Sequence, residues 1–166
     1  AIVTVVYNGI QDRARNAAML SGMDTVEKAL RIYQQKHGNY PDPTELTGGN
    51  AGVITFACVQ PTSSGWPVKD GLTASQCLVG GTNPPSGYST ILRQALLESI
   101  SKIPDTSDVT VSSGGDAGRG VMYQYISPGA ADILYWIRGD QTCGRGTKLS
   151  LAGSSSTLTY CTVSLR

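Results

Sequence analysis

The sequence predicts an α+β fold in which a long N-terminal α-helix packs on a C-terminal antiparallel β-sheet, joined by an irregular region that contains a second helix. Three observations carry this expectation. Apolar residues recur at helical spacing through the first 37 positions, the middle is rich in Pro, Gly, Thr and Ser, and the last third alternates β-branched and aromatic residues between turn signals. The division expected is a single domain over 1–166, with helix in 1–37, a connecting region over 38–119, and sheet with a disulfide loop over 120–166.

The first helix is expected over about 2–37. Met19, Met23, Val26, Leu30 and Tyr33 follow one another at steps of four, three, four and three, which stacks them on one face. Asp24, Glu27, Lys28, Arg31 and Gln35 are assigned to the opposite, solvated face, with Glu27 and Arg31 as a favourable pair one turn apart. Gly38 and Pro41 end the helix, the first by a left-handed cap and the second because it cannot continue the ladder. Thirty-six residues at 1.5 Å each span about 54 Å, more than a 17.4 kDa globule is wide. Part of the helix is therefore expected to project, and the apolar start 1–7 is the candidate. That run has no initiating methionine and reads as the end of a longer hydrophobic segment.

Residues 41–87 read as irregular, with one or two short strands around Val53 to Val59. The stretch 88–103 reads as a second helix, with Leu92, Leu96, Ile100 and Ile103 as its stripe and Pro104 as its stop. Strands are expected over 120–127, 132–138 and 157–165, with a turn at Ser127-Pro128-Gly129 and a loop over 139–156.

A net charge of +1 supplies no overall field that would imply a nucleic-acid or membrane partner. Charge is uneven, however. Residues 1–37 hold five basic against three acidic side chains, 38–116 three against seven, and 117–166 five against two, a distribution that suits self-association.

Cys58, Cys77, Cys143 and Cys161 lack the close spacing of zinc or redox sites, and His37 is the single histidine. Two disulfides in an oxidising, extracytoplasmic setting are the expected use. Of three possible pairings, Cys58–Cys77 and Cys143–Cys161 are favoured because each closes a short segment.

Catalytic patterns are weak. Gly144-Arg145-Gly146-Thr147-Lys148 lacks the order that places a lysine on phosphates, and Gly114 to Gly120 reads as a flexible turn before a strand rather than a dinucleotide loop. His37 sits in a last helical turn with no nucleophile evident nearby. Asp105, Asp108 and Asp116 offer carboxylates to calcium at a spacing unlike recognised calcium loops. Arg138-Gly139-Asp140 spells an integrin-type tripeptide and reads as a turn. Arg119, Arg138, Arg145, Lys148 and Arg166 are candidates for a basic patch, with Tyr123, Tyr125, Tyr135 and Trp136 as stacking partners for DNA. No catalytic residue, metal or cofactor is assigned.

The order of parts resembles the type IV pilin and pseudopilin family. Ala1-Ile2-Val3-Thr4-Val5-Val6-Tyr7-Asn8-Gly9-Ile10-Gln11 looks like the middle of a pilin's N-terminal helix, and Ala29-Leu30-Arg31-Ile32-Tyr33 with Gly38-Asn39-Tyr40-Pro41 resembles its helix-to-loop junction. Many pilins have a proline about where Val5 stands, so here the helix is expected to run unbroken. The resemblance implies a membrane-anchored subunit that assembles with other pilins into a helical extracellular filament, driven by separate machinery and an ATPase. Ile2, Val3, Val5, Val6, Tyr7 and Ile10 are its assembly residues. Attachment, twitching motility or DNA uptake would be the use, and a pseudopilin of a secretion or competence machine is the alternative. A secreted enzyme finds no supporting constellation, and a monomeric adhesin or lectin is a further class.

Overall fold

The computed structural model describes residues 2–47, 56–62, 65–66, 72–79, 86–107, 110–113, 116–149 and 158–166, with the backbone alone at 2–8, 47, 78–79, 86, 110–113, 116–117 and 158. Helix α1 runs Ile2–His37, and Gly38 ends it with φ 78° while its amide bonds back to Gln34 O at 2.8 Å. Met19, Met23, Val26 and Leu30 are buried, as the spacing predicted, and Ala29 is buried beside them. Burying a Leu, Val or Met side chain stabilises by about 1.5–3 kcal/mol each. Tyr33 departs from the stripe, being half-buried and stacked on His37 at 4.2 Å between centroids.

The strands are β1 Phe56–Cys58, β2 Leu78–Val79, β3 Ser86–Tyr88, β4 Thr110–Ser113, β5 Asp116–Arg119, β6 Val121–Ser127, β7 Ala130–Arg138, β8 Thr147–Leu149 and β9 Leu158–Leu165. They form a six-stranded sheet ordered β3-β1-β6-β7-β9-β8 and a three-stranded sheet ordered β2-β5-β4. The C-terminal strands β6, β7, β9 and β8 pair antiparallel as expected, but the whole sheet is mixed, because β1 and β3 pair in parallel. A parallel pair needs a long crossover, and the connection 59–85 provides one by passing through β2 of the smaller sheet. The turn expected before β6 is corrected as well: Asp116–Arg119 is a strand paired on both sides. Strand β8 likewise lies inside the expected loop 139–156.

The second helix is shorter than the expected 88–103. Helix α2 covers Thr90–Leu97, with Ser89 as N-cap accepting from Leu92 N and Glu98 as C-cap. Ser99 N and Ile100 N both bond to Leu96 O, so the ladder closes there. Ile103, restricted by Pro104, is buried without being helical.

Cross-strand register puts Val121 and Tyr123 of β6, Ile133 and Tyr135 of β7, and Cys161 and Val163 of β9 on one face. That face meets α1, whose Met19, Met23, Val26 and Leu30 share one buried core with Val121, Tyr123, Ile133, Tyr135 and Val163. The opposite face carries Met122, Leu134 and Trp136, and the smaller sheet covers part of it. At Gly118 of β5 a Cβ would stand 2.6 Å from the Trp136 ring, so only glycine lets the two sheets approach this closely.

Candidate functional site

The region that sets this chain apart is the amino-terminal half of α1. Among the described side chains the first buried one is Met19, and Ile10 is 59% exposed. Apart from its chain neighbours and the nearby backbone of the helix itself, no described atom lies within 4 Å of the place where a Cβ on Gly9 would stand. The side chains of Ile2, Val3, Val5, Val6 and Tyr7 lie outside the described residues; their backbone is helical, without a break at Val5.

The helix leaves the sheet at one directional tie. Asn16 Nδ2 donates to Arg138 O at 2.9 Å, and Arg138 N donates to Asn16 Oδ1 at 2.8 Å. The side-chain amide thereby pairs with both backbone groups of the last residue of β7. Asp12 adds a looser contact, 3.7 Å from Arg138 Nε and 3.8 Å from Arg15 Nη1.

Two disulfides brace the rest. Cys58–Cys77 joins β1 to the segment entering β2, with Cα atoms 5.5 Å apart, and so ties the two sheets together. Cys143–Cys161 joins the loop after β7 to β9 at 5.6 Å. Tyr135 Oη donates to Cys143 O at 2.5 Å, and burial pushes its phenol up to about 12. Arg145 from the same loop reaches Glu27 Oε1 at 3.4 Å. Glu27 is 2% exposed, which corrects its assignment to a solvated face, because the Cys143 loop folds over that part of α1.

The candidate basic patch does not assemble as expected. Arg119 is 1% exposed, donates to Gln76 O at 3.0 Å and to Thr73 O, and lies 5.0 Å over the Trp66 ring. Burial lowers its pKa. Arg138 is engaged by α1, Arg145 by Glu27, and Lys148 by Asp140; Arg166 is exposed. Tyr123, Tyr135 and Trp136 are buried, so their rings serve the core, and Tyr125 is half-buried. Tyr123 Oη donates to Pro41 O at 2.7 Å, and burial raises its pKa.

His37 Nε2 lies 2.9 Å from Glu98 Oε2, with Lys36 Nζ at 3.6 Å. The hydrogen bond from His37 holds the Glu98 carboxyl below its usual range. This cluster fastens the end of α1 to the end of α2. Asp105 accepts from Ser107 N at 3.0 Å; Asp108 and the Asp116 side chain lie outside the described residues. Among the described residues there is no group of three His, Cys, Asp or Glu placed to hold a metal. In Arg138-Gly139-Asp140, Gly139 turns with φ 81° and both charged residues are paired within the chain.

Sequence reasoning missed Asn16 and Glu45. Asn16 is a poor helix former in mid-helix, a signal for a side chain held by something else. Glu45 Oε1 accepts from Ser89 Oγ at 2.5 Å and from Ile91 N at 3.1 Å, reinforcing the α2 cap from a distant segment, and no local pattern announces it. Among the described residues no helix is long and apolar enough to cross a membrane. The chain matches no family model, and no curated protein or solved structure is significantly similar to it.

Proposed function

We propose that this chain is a type IV pilin-like subunit, a structural component of an extracellular filament rather than an enzyme. The observation that carries the reading is the length of α1 against the small part of it that is buried. The helix has 36 residues, a span of about 54 Å, yet the buried side chains described begin at Met19. Isolated helical stretches shorter than about 12–15 residues are marginal in water, and packing of the stretch ahead of Met19 against equivalent helices of neighbouring subunits would stabilise it. Burial of apolar helix surface there contributes about 25 cal/mol per Å².

One further feature supports the reading: the disulfides suit an extracytoplasmic protein. In this reading Ile2, Val3, Val5, Val6, Tyr7 and Ile10 belong to the filament core, the sheet faces outward, and a membrane anchor precedes assembly.

Electron microscopy of cells making the protein with a tag on the C-terminal sheet tests it. Label along whole fibres is the expected result. Label confined to the envelope, with every fibre bare, overturns the major-pilin reading and favours a pseudopilin.

A further inference from the structure

We infer that Asn16 is the positioning residue that fixes the direction in which the projecting half of α1 leaves the head. Hydrophobic contacts hold α1 through Met19, Met23, Val26 and Leu30, and among the described side chains they end at Met19, so they do not restrain the stretch of helix ahead of it against bending. The two bonds between Asn16 and the Arg138 backbone are directional, short at 2.9 Å and 2.8 Å, and made to a backbone held in a paired strand. They lie at the end of the supported part of α1, three residues before its first buried side chain, where a tie best resists rocking.

The lever beyond this tie is long. Residues Ile2 to Arg15 extend about 21 Å from it at 1.5 Å per residue, so a 10° swing moves the tip by about 4 Å. The Asp12 contacts to Arg138 and Arg15 are longer, at 3.7 Å and 3.8 Å, between side chains 32–43% exposed. Solvent screens such pairs, so they cannot replace the tie. The consequence for assembly rests on the filament reading: subunits whose helices leave the head in one direction stack in register, and subunits with a rocking helix do not.

The test is nuclear magnetic resonance of the 166-residue chain, using backbone N–H residual dipolar couplings. In the wild type, couplings of α1 and of β6, β7 and β9 fit one alignment tensor. In Asn16→Ala the sheet couplings keep that tensor, and those of α1 ahead of Met19 depart from it. Asn16→Asp retains an acceptor for Arg138 N but no donor for Arg138 O. It shifts in the same sense by less, and it decides the matter if Asn16→Ala does not fold. A single tensor for sheet and helix in the folded variant overturns the inference.

Cells making Asn16→Ala should then carry fewer or shorter filaments. Normal filaments together with shifted couplings overturn the link from helix direction to assembly. Absence of filaments from wild-type cells removes the filament reading alone, and the couplings still decide the role of Asn16.

Discussion

Glu27 and Arg145 meet across the fold, with Arg145 Nη2 3.4 Å from an oxygen of Glu27 that Arg31 Nε also approaches to 2.9 Å. The carboxylate is 2% exposed while Arg31 and Arg145 are 40% and 65% exposed, and Glu27 Oε2 has no hydrogen-bond partner. The burial is thus one-sided. Removing both guanidiniums strands a buried charge, whereas neutralising the carboxyl leaves two arginines that already touch water. Arg31→Ala with Arg145→Ala should cost about 3 kcal/mol, and Glu27→Gln less than about 1 kcal/mol. Urea unfolding of the two variants checks this, and equal losses would contradict it.

Gly118 and Trp136 make a second close relationship. A Cβ at Gly118 would stand 2.6, 2.6 and 2.8 Å from three atoms of the indole. The indole cannot retreat, since it is buried and stacked on Tyr160 at 4.3 Å. Gly118→Ala should destabilise by about 1–3 kcal/mol through overpacking. It should also change the near-ultraviolet circular dichroism of Trp136, and an unchanged spectrum and melting point would show that the sheets separate without cost.

Each disulfide closes a loop of similar size, with sequence separations of 19 and 18. Loop-closure entropy assigns roughly 3 kcal/mol to each. Cys58→Ala with Cys77→Ala should also uncouple the smaller sheet from the larger, giving faster amide exchange in β5 than in β7. Cys143→Ala with Cys161→Ala should instead free the loop carrying Arg145, leaving exchange in β5 unchanged. Exchange measured strand by strand in the two variants separates these outcomes.

Alkaline pH should unfold the protein through its buried phenols. Burial pushes Tyr135 and Tyr160 up to about 12 from an ordinary 10, and Tyr123 is raised further in the same direction. A raised folded pKa means stability that is complete below pH 10 and lost as pH rises towards 12, at about 1.4 kcal/mol per unit for each such group. Absorbance titration at alkaline pH should show these tyrosines ionising together with loss of circular dichroism. Smooth ionisation of all tyrosines near pH 10 in the folded state would contradict it.

Neighbours along the chain lay out much of this fold. A 3.6-residue period lays out α1 and its core stripe Met19 to Leu30, because side chains one turn apart share a face whatever lies opposite. Alternation and turn residues lay out β6, β7 and β9, and short separations select Cys58–Cys77 and Cys143–Cys161. Contacts between distant segments set the rest. Strand β1 is three residues long, and its neighbours are β6, far along the chain, and β3, reached through the other sheet. Arg119 and Glu27 carry charges that a pattern assigns to solvent, yet both are buried because carbonyls and an indole reach Arg119, and the loop carrying Arg145 reaches Glu27, from elsewhere in the chain. Asn16 looked like a weak helix residue and is the tie to Arg138, 122 positions away. Local periodicity places a residue on a face; the segment that covers that face is set by contacts no local spacing encodes.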